Sequence, residues 1–311
     1  MMQPTVSTLS KTITYRPGAL DDSYTIFRVF EEALSDLNRR LGSTGSTSWQ
    51  EPAALARMWK ERRSLYEHLA RTAGHFWVAE RDGQIIGFAR SILRDGLRQL
   101  TEFFIRPEEQ SAGVGRELMA RAYPETGATR KLIIATADTR AQARYLKAGV
   151  YPRFPIYYFG RSPEAVTMDT GLTVEPIEAS PRVLRALGAL DKTLLGYQRD
   201  VDHTWLLSDR QGYFYYRRSQ PVGYGYVGRR NGPFALLNED DFPAVLAHAE
   251  TEAAACGRDH FGLEVPMINR AAVDYLLARG YQMDSFIALF MSDAPFGKFE
   301  NYIVTSPPFF L

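Results

Sequence analysis

Ile105-Arg-Pro-Glu-Glu-Gln110-Ser111-Ala112-Gly113-Val114-Gly115-Arg116 is the stretch on which the fold of this 311-residue chain turns. A strand-like run, Leu100-Thr-Glu102-Phe-Phe104-Ile105, precedes the turn, and a helical pattern from Gly115 to Tyr123 follows it. A turn that opens a helix presents backbone N–H groups the helix cannot pair, and the helix dipole adds positive potential there. A phosphate or pyrophosphate suits such a place. Gly113 and Gly115 would let the backbone approach an anion with no Cβ in the way. No Gly-Lys-Ser/Thr follows, which excludes a Walker loop, and Leu118 stands where a dinucleotide-binding turn needs its third glycine. On this segment alone a purely structural turn is an equal reading.

Further along, an apolar run, Lys131-Leu-Ile-Ile-Ala-Thr-Ala137, leads into Asp138-Thr-Arg-Ala141-Gln-Ala-Arg-Tyr145-Leu-Lys-Ala-Gly149-Val150. Ala141 and Tyr145, four residues apart, share one helical face, and Gly149 ends the helix. Gln110-x-x-Gly113-x-Gly115 resembles the acyl-CoA pyrophosphate loop of the GCN5-related N-acetyltransferase (GNAT) superfamily. Ala141, Tyr145 and Gly149 fall on that family's Asn-x-x-Ala-x-x-x-Tyr-x-x-x-Gly-Phe pattern, with Asp138 and Val150 in place of Asn and Phe. Alone, Tyr145 reads as a half-buried core tyrosine. With both motifs in order and a strand between them, the functional reading leads.

Composition sets the outer bounds. The length suits two domains, and 45% apolar with 23% charged residues is ordinary for a globular protein. A net charge of +1 gives no global case for binding nucleic acid or membrane. No run reaches the roughly 18 apolar residues of a membrane span. Met-Met-Gln-Pro-Thr-Val-Ser is no secretory signal, so the sequence predicts a cytoplasmic protein. One cysteine, Cys256, excludes an internal disulfide framework and reads as a small buried side chain at a helix end. His68, His75, His248 and His260 lack ligand spacing, so no metal is expected.

The chain reads as two halves on one plan. In the first, a strand at 12–16 precedes two helical patterns at 21–41 and 52–70, with a turn-rich separator at 42–48 read as mobile. A hairpin follows at 76–89, then strand 98–105, the glycine loop and helix, strand 131–137, the Tyr145 helix and strand 154–160. That order matches the GNAT fold. In the second half Gln84-Ile-Ile-Gly87 echoes as Gln220-Pro-Val-Gly223, and Asp138-x-x-Ala141 echoes as Asn269-x-x-Ala272. The resemblance therefore implies an α+β fold of two tandem GNAT-like domains, 1–165 and 172–311. Each would be a mixed, largely antiparallel sheet with helices on both faces. The second has no glycine loop, carries Glu239-Asp-Asp241 instead, and has Leu276 where Tyr145 would recur, so it reads as degenerate.

The resemblance implies acetyl-CoA as cosubstrate and direct acetyl transfer to an amine, small-molecule or peptide, by a monomer or homodimer. Phe104 and Ile105, the loop Gln110-Ser111-Ala112-Gly113-Val114-Gly115-Arg116, Asp138 and Ala141 would hold the CoA, with Arg121 also near its charged end. Tyr145 would be the general acid and Glu102 the general base, although Glu102 also reads as a solvent-facing strand carboxylate. Asp138 is a second candidate base. Two alternatives are a non-catalytic acyl-CoA sensor and a tandem-fold interaction scaffold. Tyr213-Phe-Tyr-Tyr216 with Tyr224 and Tyr226 reads more cheaply as core than as an amine pocket, and Asp202-His203 as a polar pair without a serine nucleophile.

Overall fold

The computed structural model describes residues 12–42, 48–110, 113–168 and 171–305. Most of the separator at 42–48, and the loop residues Ser111 and Ala112, lie outside the described residues. Two compact units emerge: Met1–Ile92 with Glu102–Pro124, and Leu93–Thr101 with Glu125–Leu311.

In the first unit, β1 (Thr14–Pro17) pairs antiparallel with β2 (Ala73–Arg81), and β2 pairs with β3 (Gln84–Arg94). The β2–β3 hairpin turns at Asp82-Gly83, both at positive φ, as a tight two-residue hairpin turn requires. The end of β4 (Leu97–Ile105) belongs to this unit. Helices α1 (Ser23–Arg40) and α2 (Pro52–Thr72) cover one face, where Phe27 meets Tyr66 edge-on at 5.6 Å and Phe30 meets Phe104 at 4.9 Å. Helix α3 (Val114–Ala122) covers the other, burying Val114, Leu118 and Ala122 against Ala79, Ile86 and Ala89. Alternation along β4 divides its end between these faces: Phe104 joins the α1–α2 side, while Phe103 and Ile105 pack on the α3 side.

In the second unit, the start of β4 runs parallel to β5 (Arg130–Ala135). Strand β12 (Gln282–Ser292), from far along the sequence, pairs antiparallel with β5 on one edge and with β6 (Tyr151–Arg161) on the other. Strand β11 (Phe261–Pro266) then pairs with β6. A five-stranded sheet has the order β13 (Tyr302–Ile303), β10 (Phe234–Leu236), β9 (Gln220–Val227), β8 (Gln211–Arg217), β7 (Thr173–Pro176). Helices α5 (Pro181–Leu194), α6 (Asp200–Asp209), α7 (Phe242–Ala255) and α8 (Arg270–Ala278) complete this unit with α4 (Thr139–Lys147). The helices and mixed sheets match the α+β expectation. Strand β12 does not follow a simple division at 165–172, because it separates β5 from β6 inside one sheet.

The echoed residues do equivalent work. Gly87 lets β3 approach β4: an added Cβ would stand 3.1 Å from the Phe104 carbonyl oxygen. At Gly223 the same atom would lie 2.4 Å from the Ala235 carbonyl oxygen. Asp138 and Asn269 cap α4 and α8, and Gly149 and Gly280 follow those helices at φ +76° and +78°.

Candidate functional site

The loop after β4 is held from within. Pro107-Glu-Glu109 makes a single tight turn, and Glu109 pairs with Arg81 at 2.5 Å. Gln110 turns its amide back to donate to the Ile105 carbonyl at 3.1 Å. Its observed work is to shape the loop. Gly113 is the N-cap of α3 at φ +84°, and among the described residues nothing stands within 4 Å of where a Cβ would be. The first N–H groups of α3 have no carbonyl one turn earlier. Arg116 already donates its N–H to Gly113, at 3.0 Å. Val114 and Gly115 are buried, and the Arg116 side chain is 78% exposed. Arg121, expected near the charged end of a ligand, is instead engaged. It pairs with Glu117 at 2.7 Å and lies 4.6 Å over the Tyr15 ring.

The backbone at the end of β4 has a readable direction. Arg106 donates its N–H to the Ile86 carbonyl of β3 at 2.9 Å. Alternate N–H groups in an antiparallel pair point to opposite sides, so the Ile105 N–H is directed away from β3. On that other side the β4–β5 ladder pairs Leu97↔Arg130 through Leu100↔Ile133, and β4 continues to Ile105.

Glu102 departs from its expected exposure. It is 2% exposed and accepts from Arg90 Nε at 2.5 Å. Arg90 also donates to the Tyr66 carbonyl at 3.0 Å and lies over the Tyr66 and Phe76 rings. The cause is the parity of β4: Glu102 shares the covered α1–α2 face with Phe104, so its charge must be paired. A carboxylate against a guanidinium is a weak proton acceptor.

In the second unit, Asp138 accepts from the Arg140 and Ala141 N–H groups and pairs with the Arg140 guanidinium at 3.2 Å. Its carboxylate is thus occupied in capping α4. Ala141 lies in the first turn and is partly buried, and Tyr145 is buried on the same helix. Burial, then the Asp138 carboxylate, raises the Tyr145 pKa, so the phenol keeps its proton well above neutral pH.

Among the described residues the second half keeps the helix cap, at Asn269, but has neither the glycine entrance nor the tyrosine. Asn238 accepts from the Asp240 N–H, the turn Glu239–Asp241 leads into α7, and Asp241 pairs with Arg217 at 2.5 Å. Leu276 is fully buried and Tyr275 packs beside the core of α7 and α8. Tyr213, Phe214, Tyr215, Tyr224 and Tyr226 are all buried, as core. Tyr226 and Tyr224 also join a closed polar network that sequence reading did not find. His203 bridges Asp191 at 2.9 Å and the Tyr226 hydroxyl at 2.8 Å, and Arg199 pairs with Asp191 at 2.8 Å. Asp202 pairs with Arg94 rather than with its neighbour His203. The only sequence signal was the adjacency of Asp202 and His203. Cys256 is exposed, contrary to expectation: it caps α7 beyond Ala253, the last buried residue of that helix, and Gly257 turns the chain away at φ +65°. Among the described residues no cluster of three or more His, Cys, Asp or Glu could hold a metal, and no helix is long and apolar enough to cross a membrane.

Residues 72–150 match the family described as Acetyltransferase (GNAT) domain. A candidate acetyltransferase from Pyrococcus horikoshii is 13% identical, with a TM-score of 0.71 over 97% of each chain. A GCN5-related N-acetyltransferase from Sphaerobacter thermophilus is 15% identical, with a TM-score of 0.57 over 91% of this chain and 96% of that one. A tandem GNAT protein from the clavulanic acid biosynthesis pathway is 13% identical, with a TM-score of 0.56 over 91% and 99%. No curated protein sequence matches. The segment 72–150 is thus similar in sequence to an acetyltransferase (GNAT) domain. The chain around it has the tandem GNAT fold.

Proposed function

We propose that the protein is an acetyl-CoA-dependent N-acetyltransferase with one acyl-CoA site per chain, built on the first half. The observation that carries this reading is the entrance of α3. A left-handed Gly113 faces open space beside backbone N–H groups left over by the helix. That cradle fits a pyrophosphate, with Arg116 exposed for the charged nucleotide end. The direction of the Ile105 N–H supports its use as a donor to the thioester carbonyl and to the oxyanion formed there, a contribution of about 3–4 kcal/mol in other acyl-transfer enzymes.

In the step itself the amine nitrogen forms a C–N bond to the thioester carbon and the C–S bond breaks. The amine loses a proton and the thiolate gains one. Tyr145 is the proposed donor to the departing sulfur. Its raised pKa keeps the proton in place. A thiol with a pKa near ~8.5 is, however, a stronger acid than this phenol. Tyr145 therefore acts chiefly by hydrogen-bonding the developing thiolate, and the proton the thiolate finally takes is, net, the one the amine has lost to solvent. For Glu102 to serve as base it must leave its pair with Arg90, and Asp138 must leave its helix cap.

That engagement of both carboxylates favours a second reading, acyl-CoA binding without turnover. Titration with acetyl-CoA by calorimetry, alongside thiol release with a panel of amines, separates the two. A stoichiometry near one with amine-dependent thiol release is expected. Binding with no release across the panel selects the sensor, and no binding at all overturns both.

The halves 1–165 and 172–311 are proposed as a catalytic and a degenerate domain. Strand β12 joining β5 to β6 supports their mutual dependence. Residues 172–311 expressed alone are expected not to bind acetyl-CoA. Residues 1–165 alone, with β5 and β6 deprived of that strand, are expected to aggregate. A soluble, fully active 1–165 fragment would overturn this division of labour.

A further inference from the structure

The second unit contains a pocket of about 330 Å³ remote in sequence from the loop and tyrosine discussed above. Three elements wall it. Val174 of β7 and Tyr215 of β8 form the sheet side, Ala244 and His248 the α7 side, and Val166 and Met168 the cover. The cover is the segment connecting the two halves, and it is fastened to α7. Glu250 accepts from the Glu164 N–H at 3.2 Å, while Thr251 accepts from the Val166 N–H at 2.9 Å and donates to its carbonyl at 3.1 Å. The size is at the lower end of small-molecule sites, and the walls set apolar residues beside Thr167, Tyr215, His248 and Thr251.

Of these polar groups Thr251 is spent on Val166 and Ala247, while His248 is held in a defined orientation. His248 Nδ1 lies 3.1 Å from the Tyr215 hydroxyl, and the Tyr213 and Tyr215 rings meet the imidazole edge-on at 4.8 and 5.7 Å. Burial holds the His248 pKa below its usual value, Glu252 opposing, so the ring is neutral at pH 7. Burial raises the Tyr215 pKa, so that phenol keeps its proton, and in the tautomer with hydrogen on Nε2 it donates to Nδ1. A neutral imidazole that accepts at Nδ1 carries its hydrogen on Nε2. The nearest carboxylate oxygen, on Glu252, is 3.8 Å from Nε2, beyond hydrogen-bond reach. Glu252 is itself occupied by the Tyr213 hydroxyl at 2.7 Å. In that tautomer the imidazole offers one N–H donor beside the apolar residues of the wall, and the neighbouring carboxylate repels anions.

We propose that this pocket binds a small uncharged ligand, largely apolar and carrying one hydrogen-bond acceptor such as a carbonyl, against His248. The site makes no use of the acyl-CoA loop and is independent of the proposed acetyl transfer.

Three probes of one size test it on the full chain labelled at the methionine methyls: acetophenone, benzoate and ethylbenzene. The Met168 signal is assigned by its loss in Met168→Leu. Acetophenone is expected to shift it saturably, about tenfold more tightly than benzoate or ethylbenzene, the scale of one hydrogen bond. His248→Phe should lower acetophenone affinity about tenfold, and Ala244→Trp, at a partly exposed wall position, should abolish the shift. Should Ala244→Trp fold poorly, nuclear Overhauser contacts from the acetophenone ring to the Met168 and Val174 methyls of the unaltered protein decide the location. A folded protein whose Met168 signal does not respond, contacts elsewhere, or equal affinity for all three probes would each overturn the proposal.

Discussion

At the entrance of α3 the chain passes through Gly113 at φ +84°, with no described residue within 4 Å of where a side chain would start. At the entrance of α7 it passes through Asn238, which spends its side chain on the Asp240 N–H, and then through three consecutive acidic residues. Both helices follow the same step of a repeated path and both cover one face of a sheet. In the proposed reading an anion would be attracted to the first by backbone N–H groups and by the helix dipole. At the second, carboxylates already occupy the favourable end of the dipole. The difference teaches that a repeated fold can keep its packing residues while the charge at a helix entrance changes sign. The caps Asp138 and Asn269 and the glycines after α4 and α8 are retained in both halves because the helices need them.

The comparison can be broken most directly at the glycine. Gly113→Glu is expected to leave acetyl-CoA binding undetectable by calorimetry, because it brings a carboxylate into the open space and strains a left-handed position. Asp240→Gly at the other entrance should change nothing. Normal binding by Gly113→Glu would remove the acyl-CoA reading from this loop.

Glu102→Gln comes next in size. Leaving Arg90 buried without its counter-charge should lower stability by about 3–5 kcal/mol, seen in urea unfolding. The folded variant should retain turnover within about tenfold. A loss of about 10²–10⁴-fold in turnover at unchanged stability would instead make Glu102 the base.

Tyr145→Phe should lower kcat about 10²-fold, the scale of one lost donor to a developing charge, with acetyl-CoA affinity little changed. The reciprocal change in the second half, Leu276→Tyr, should confer no activity. If Tyr145→Phe turns over normally from pH 6 to 9, the tyrosine is a packing residue.

Much of this architecture was legible because its signals are local. Gly113 at the N-cap of α3, the Asp138 cap and the Gly149 stop each report backbone demands within a few residues. Element bounds fell close: the strand read at 98–105 is Leu97–Ile105, and the helix read at 115–123 is Val114–Ala122. The pairing of β12 with β5 and β6 was not legible, since β12 lies well over 100 residues from both and strands of similar composition do not name their partners. The burial of Glu102 was missed for a related reason. Its partner Arg90 is on β3, and only the register of two strands brings them together. Asp191, Arg199 and His203 were likewise invisible as a set, being assembled by the packing of α5 and α6 with Tyr224 and Tyr226.

The smallest expected effect concerns the strand that corresponds to β5 in the second half. In β5, Leu132 to Ala135 are all buried apolar residues. In β11 the residue 131 positions after Ile133 is Glu264. It faces Tyr158 across the β6 ladder, whose hydroxyl is 2.6 Å from His260, with Arg230 and Asp284 the charges that act on it. Burial, assisted by Asp284 and opposed by Arg230, pushes the Glu264 pKa up to about 7. A carboxyl whose folded pKa exceeds its unfolded value binds more protons folded than unfolded between the two. Its contribution is therefore most favourable below about 4.5 and is lost as pH rises through 7. Glu264→Gln mimics the neutral form at every pH. The stability of the unaltered protein relative to this variant should fall by roughly 1–3 kcal/mol between pH 5 and pH 8 in urea unfolding. The matching change in the first half, Ile133→Leu, leaves no group to titrate and should keep the unaltered protein's pH slope. Identical slopes for Glu264→Gln and the unaltered protein would mean that Glu264 is ionised throughout, and that β11 differs from β5 in its charge but not in its proton binding.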